Sequence, residues 1–172
     1  DPGWSPSWSG SNDWLIFFQW HQVNDEGAPA MAMAVHNDNK VYIEREPDSD
    51  FEFMGPLWTI RPGVWEHVVV HVKWSPNSST GFVQVHLNDT EVLPKTFRKT
   101  MYSTDNVDPY YVKMGQYRRA SISGTSVVMH DNIRVSTLPV GSGGSGTVRV
   151  DWPYGGEYDF MENGEPGEQS AD

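Results

Sequence analysis

The chain has 172 residues, and its 12 basic and 23 acidic side chains give a formal net charge of −11. That length suits one domain with a substantial core, and no apolar run approaches the roughly 18 residues of a membrane span, so we expect no membrane partner. The acidity argues against a nucleic-acid partner, because phosphates require a basic surface, and the absence of cysteine excludes disulfides and thiolate chemistry.

Short apolar runs separated by turn residues predict an all-β chain. The run 64–74 alternates, with Val68, Val70 and Val72 on one face, which is the period of a strand that buries that face. The segment 95–104 is the one helical candidate. Strands at this spacing favour an antiparallel two-sheet β-sandwich. They are predicted, in chain order, at 13–22, 30–35, 41–46, 64–74, 82–87, 110–117, 127–135, 148–152 and 157–161.

The segment 141–146, Gly-Ser-Gly-Gly-Ser-Gly, has the composition of an engineered flexible linker. We therefore predict a single domain over 1–172 that has been circularly permuted. In this interpretation residues 1–140 are the original C-terminal part and 147–172 the original N-terminal part. Permutation is tolerated where the natural termini lie close together, and it predicts that Asp1 and Asp172 are near each other.

An acidic motif, W-P-x-x-G-E-x-D-x-x-E-N, occupies residues 152–163. Glu157 and Asp159 share one face of a strand, and one β-bulge would bring Glu162 onto it. Retaining glycosidases use two carboxyl groups about 5–5.5 Å apart, and a third acid between them would push their pKa values apart. The alternative for these residues is a solvated edge strand.

This motif resembles the catalytic strand of laminarinase-type family 16 glycoside hydrolases, which have a concanavalin-like jelly roll and cleave β-glucans with retention. The resemblance implies Glu157 as the nucleophile, Glu162 as the acid/base and Asp159 as the assisting residue. The strands that such enzymes carry before the catalytic strand are mostly missing from this chain.

Residues 13–136 also resemble the heparin-lyase-like and glucuronan-lyase-like polysaccharide lyases, which share the jelly roll and cut uronic-acid polymers by β-elimination. The resemblance is carried by segments 18–22, 28–30, 65–76, 111–118 and 128–135. It implies that Gln19 neutralises the uronate carboxyl group and that His21 or Tyr117 removes the C5 proton. Arg118 or Lys113 would then bind the anionic sugar.

Both resemblances fit one site, in which His21 lies beside Glu162. Four tryptophans flank that site in sequence and could form sugar-stacking subsites: Trp4, Trp8, Trp14 and Trp20. Trp4 and Trp8 are the better candidates, because their Ser/Pro/Gly-rich loop is poor material for a core. His67 and His71 share a strand face without a third ligand, so we predict no zinc. The family sometimes binds calcium near the position of Asp131, but the spacing does not require it, and we expect no cofactor.

We therefore predict a secreted, monomeric enzyme that degrades a polysaccharide, its signal peptide already removed. Retaining endo-hydrolysis of a β-glucan ranks first, because a net charge of −11 would repel a polyuronate. Uronate β-elimination is the alternative, since scattered cations such as Lys95, Arg98 and Arg119 could line one end of a cleft. A non-catalytic carbohydrate-binding module, or an engineered scaffold, is the third interpretation.

Overall fold

The computed structural model describes residues 5–22, 27–103 and 110–135, which form ten strands and one 3₁₀ turn. The chain divides into two compact units, Asp1–His130 and Asp131–Asp172, and the second is described only over 131–135, where no strand forms. The turn is Pro47–Ser49. The strands are β1 Ser5–Ser7, β2 Trp14–Gln22, β3 Met31–His36, β4 Lys40–Arg45, β5 Glu52–Thr59, β6 Val68–Lys73, β7 Phe82–Leu87, β8 Thr90–Phe97, β9 Tyr110–Arg118 and β10 Ser123–Thr125.

The strands pair antiparallel in two main sheets. The first has five strands in the order β5-β4-β3-β2-β9, and the second has three in the order β6-β7-β8; β1 and β10 pair separately. The pairing of β2 shifts by a bulge between Ile16 and Phe18 on both of its sides. Successive side chains of a strand point to opposite faces, so these registers decide which residues share a face.

The core lies between the five-stranded and the three-stranded sheet. Met33 on β3 and Ile43 on β4 form one buried cluster with Val83 and Val85 on β7. The predicted apolar face of β6, with Val68, Val70 and Val72, packs against it. Two sheets joined by their apolar faces make a β-sandwich, which confirms the predicted fold class.

Most of the predicted strands within the described residues are confirmed, and some predictions are wrong. The predicted strands at 13–22, 30–35, 41–46, 82–87 and 110–117 are confirmed within a residue or two, and that at 64–74 begins later, at Val68. The prediction of a strand at 127–135 is wrong, and the helical candidate at 95–104 is wrong, because its first residues belong to β8. The predicted strands at 148–152 and 157–161 and the linker at 141–146 lie outside the described residues, so circular permutation stays a prediction.

A buried arginine joins the two sheets at one end of the core. Arg45 ends β4 with its side chain 3% exposed, and its guanidinium donates to Asp50, to Glu52 and to the backbone carbonyl of Lys99. Arg98, directly after β8, donates to the same Glu52. Burial raises the pKa of Glu52, but the hydrogen bonds from Arg98 and Arg45 outweigh it and leave that pKa lowered.

Replacing this arginine is expected to destabilise the fold far more than replacing an exposed one. Arg45→Ala leaves Glu52 with one cation fewer and should lower the free energy of unfolding by about 2–3 kcal/mol, less than for a fully buried pair because the two carboxylates are partly exposed. Arg61→Ala is the matched control, since Arg61 pairs with Glu66 while 56% exposed, and should cost below about 1 kcal/mol. Urea unfolding midpoints measure both, and equal losses would contradict this account of the network.

A second ionic contact fixes the 3₁₀ turn to the segment after β8. The Asp48 carboxylate accepts from Lys99 Nζ at 2.8 Å, from the Ser103 backbone N–H at 3.1 Å and from the Ser103 hydroxyl. The Lys99 bond first, and then the Ser103 bonds, lower the pKa of Asp48 from 3.8 to about 2. The ionised form is therefore favoured in the folded chain.

This pKa predicts a stability difference that depends on pH. A carboxyl group whose folded-state pKa is depressed contributes stability above its unfolded pKa, and that stability is lost as the pH falls through the folded value. Asp48→Asn should cost up to about 2 kcal/mol at pH 6, and the difference from the unmodified chain should shrink between pH 4 and pH 2. Urea titrations at several pH values test this, and a difference that is constant with pH would refute it.

Candidate active site

The second face of the five-stranded sheet, opposite the core, carries a row of side chains that crosses all five strands. Its members are directly paired across each strand boundary, at Cα separations of roughly 4.5–5.5 Å. The row runs from β5 to β9 through Phe53, Glu44, Ala32, Gln19 and Lys113. One face therefore presents an aromatic ring, a carboxylate, an amide and an ammonium group in line, and we call it the site face.

Alanines form the middle of the site face. Ala32 and Ala34 on β3 are almost completely buried and cluster with Ile16 and Trp14 of β2. Their side chains end at Cβ, and neighbouring side chains cover them almost completely. We call these two residues the alanine floor.

Gln19 lies next to this alanine floor, between Ala32 and Lys113 in the register. Its side chain is half-buried, and within the described part of the chain its amide makes no hydrogen bond. An amide group that its strand holds in place, and that donates to no other group of the described residues, can donate a hydrogen bond to an oxygen of a ligand.

His21 shares the site face with Gln19, two residues further along β2, and pairs with Tyr111 on β9. It is 8% exposed, its ring centroid lies 5.7 Å from that of Tyr111, and Nδ1 lies 2.9 Å from the backbone carbonyl of Gln22. A carbonyl oxygen only accepts, so Nδ1 carries the hydrogen of this bond. In the neutral ring Nε2 then holds the lone pair and can accept a proton.

Tyr117 reaches the site face on the other side of Gln19. It pairs with Ile16 beyond the bulge, its ring lies 5.1 Å from that of Trp14, and it is 61% exposed. The contact with Trp14 therefore positions the Tyr117 ring, and the exposed side chain is accessible to a ligand.

Lys113 and Tyr111 complete this end of the site face. The Lys113 ammonium lies 5.1 Å from the centre of the Tyr111 ring, within the range of a cation–π contact. Lys113 is exposed, so it can also attract an anionic group next to Gln19.

Two of the residues predicted to bind substrate, Trp20 and Arg118, lie away from the site face. Trp20 points to the core, where its ring lies 4.8 Å from Phe18 and 6.2 Å from Trp74. Arg118 pairs with the core residue Leu15, and its guanidinium donates to the carbonyl of Gly124 and the hydroxyl of Ser126. The structure therefore does not bring Trp20 or Arg118 together with Gln19 and His21.

Trp8 also has structural contacts. Its indole N–H donates to Asn39 Oδ1 at 3.2 Å, and its ring packs against the main core cluster. Trp4 and the acidic residues Glu157, Asp159 and Glu162 lie outside the described residues, so their predicted roles stay predictions.

Sequence reasoning missed a polar and aromatic group on β3–β5 of the site face. His36 Nε2 lies 2.8 Å from Glu44 Oε1, and the His36 ring meets those of Tyr42 and Phe53 edge-on at 4.9 and 4.8 Å. The Tyr42 hydroxyl donates to Asp38 at 2.9 Å. Burial, and then the contact with Asp38, raise the pKa of Tyr42. The only signal in the sequence was the alternation of these residues along β3 and β4.

The described ranges hold no group of three or more histidine, cysteine, aspartate or glutamate side chains arranged to bind a metal ion. The Asp131 carboxylate accepts from the backbone N–H of Asn132 at 2.7 Å. Nor do these ranges contain a helix with the length and apolarity of a membrane span.

The site face combines a proton acceptor, an amide, a phenol and a cation on the β2–β9 pair, which are groups that can bind a polar ligand and transfer a proton. Comparison with known families gives a class of protein. A family model described as "Polysaccharide lyase" matches residues 4–134, and the chain therefore belongs to that polysaccharide lyase family. No curated protein and no solved structure gives a significant match.

Family membership supports an enzyme that degrades polysaccharide and agrees with the second of the two resemblances. It gives no support to the glycoside hydrolase that the acidic motif predicted as the first choice. The matched range covers Gln19, His21, Lys113 and Tyr117, and it ends before Glu157 and Glu162.

Proposed function

We propose that the protein cleaves a uronic-acid polysaccharide by β-elimination on the site face. The observation that carries this proposal is the shared register of Gln19, His21 and Tyr117 beside Lys113 on the paired strands β2 and β9, within the range that matches the lyase family. Lys113 is the direct cross-strand neighbour of Gln19, and His21 and Tyr117 lie on the same face on either side of Gln19.

In this reaction the C5–H bond and the C4–O4 bond break and a C4=C5 double bond forms. The C5 proton becomes acidic enough to remove only when the adjacent carboxylate is neutralised. Gln19 donates a hydrogen bond to that carboxylate, and Lys113 provides the opposite charge next to it. Such stabilisation of developing charge by placed donors is the main contribution of many active sites.

His21 is the base in this proposal, because the Nδ1 contact with the Gln22 carbonyl leaves Nε2 to accept the C5 proton. Tyr117 lies on the other side of Gln19 and protonates the departing O4. Arg118 is left out, since its bonds to Gly124 and Ser126 hold it away from the site face.

The reaction type can be tested by its product. Polyglucuronate treated with the full chain should give the ultraviolet absorbance of an unsaturated uronate together with new reducing ends. Laminarin and lichenan should give neither. Reducing ends without absorbance would overturn the proposal in favour of hydrolysis. Glu157→Gln should keep the absorbance, because Glu157 has no part in the elimination.

Substitutions on the site face should reduce the rate of elimination without unfolding the chain. Gln19→Ala should lower kcat by about 10²–10³-fold, the usual effect of removing one charge-stabilising donor. Gln84→Ala, on β7 of the other sheet, is the matched control and should leave kcat unchanged. An equal loss in both variants would contradict the assignment.

The base and the acid can be separated from each other. His21→Ala and Tyr117→Phe should each lower kcat by about 10²–10⁴-fold. Added imidazole should restore part of the activity of His21→Ala, because it can replace the missing base, and none of that of Tyr117→Phe. If imidazole rescued a Tyr117 variant but not His21→Ala, Tyr117 would be the base and His21 the acid.

A further inference from the structure

A pocket of about 230 Å³ opens at the β3–β5 end of the site face, away from Lys113. The side chains around it come from the β3–β4 turn, from the strands next to it and from the loop before β2. They are Ser11, His36, Asn37, Asp38, Tyr42 and Phe53. None of the residues assigned to the elimination contributes to it.

The pocket lies on the same face of the five-stranded sheet as the proposed reaction centre. Phe53 belongs to the same cross-strand row as Gln19, three strand spacings away, which corresponds to about 14 Å. Glu44 and the buried Ala32 occupy the two positions between them. A polymer bound across the strands with one sugar at Gln19 would therefore place a later sugar at this pocket.

The walls of the pocket are held in place. Glu44 bonds to His36, whose ring fixes the edges of Tyr42 and Phe53, and Asp38 accepts from both the Tyr42 hydroxyl and the Lys40 backbone N–H. Phe53 keeps half of its surface exposed. A rigid aromatic ring with an open face beside a few placed polar groups is the usual composition of a small-molecule pocket.

The charges of the lining decide which sugar fits. Asp38 carries a negative charge, and no lysine or arginine lines the pocket within the described residues; the Lys40 ammonium lies 3.8 Å from Asp38 but outside the lining. The carboxylate of a uronic acid would lose its hydration here without gaining a cation. The hydroxyl groups of a neutral sugar find acceptors and donors in Asp38, Asn37 and Ser11, and its apolar ring face finds Phe53.

We propose that this pocket is a subsite for a neutral sugar residue of the bound polymer. The natural substrate is then a polysaccharide that contains neutral sugars as well as uronic acids. The position of the cleaved bond in this picture rests on the proposed elimination; the binding of the neutral sugar does not.

Binding can be measured without any reaction. Calorimetric titration of the full chain with cellohexaose and with mannohexaose should show binding of at least one of them, and Phe53→Ala should weaken that binding by tenfold or more. Phe97→Ala is the matched control, because Phe97 is as exposed as Phe53 (49% and 50%) but lies on β8 of the other sheet. It should change nothing. Failure of both sugars to bind, or equal affinities in Phe53→Ala and Phe97→Ala, would overturn the subsite.

A second variant tests the charge argument and does not depend on the loss of an aromatic ring. Asp38→Asn keeps the shape of the pocket and removes its negative charge, so it should tighten binding of hexaglucuronate severalfold while the neutral hexasaccharide gains nothing. An unchanged affinity for hexaglucuronate would contradict the role given to Asp38. The two proposals can fail separately. If no polymer yields an unsaturated product but Phe53→Ala weakens binding of the neutral sugar, the elimination is wrong and the subsite stands. If an unsaturated product forms but Phe53→Ala binds the neutral sugar normally, the subsite is wrong and the elimination stands.

Discussion

The apolar contact between the two sheets determines everything on the site face. Met33 and Ile43 must point towards Val83 and Val85 to build the core, and a strand cannot turn one residue to the core without turning its neighbour to the opposite face. Ala32 and Glu44 are therefore committed to the site face by the burial of the residues beside them. A slip of one position in β4 would turn Ile43 out of the core and bury Glu44 away from His36, so the cost of exposing the core also keeps the site in register.

The bulge in β2 adds a second constraint, because it changes which residues of β2 lie on the site face. Without it, strict alternation from Gln19 would place Phe17, rather than Ile16, next to the alanine floor. The shift between Ile16 and Phe18 occurs on both sides of β2, and it places Ile16 on the site face between Ala34 and Tyr117. β-bulges often lie next to active sites for this reason, since they redirect a side chain while the sheet stays intact.

Alternation of apolar residues was sufficient to predict the sandwich and to place Gln19 and His21 together, since both facts depend only on the period of one strand. It could not predict β5 or β8, whose sequences contain Pro56 and Pro94 and lack a clean alternation. Nor could it separate Trp20 from the site, because an aromatic residue next to Gln19 and His21 satisfies a core as well as a sugar platform. The sequence could not predict the group around His36, because its members come from separate strands and only the register between those strands brings them together.

The net charge of −11 was a poor guide to the reaction. It favoured a neutral glucan, whereas family membership supports a lyase. Salt screens charges beyond about 8–10 Å, so a bound sugar responds to the side chains around it and not to the sum over the chain. Along the site face that local charge changes from Lys113 on β9 to Glu44 and Asp38 on β4 and its turn. A polymer of uniform charge would meet attraction at one end of this gradient and repulsion at the other, whereas a polymer that mixes charged and neutral sugars can match it along its whole length.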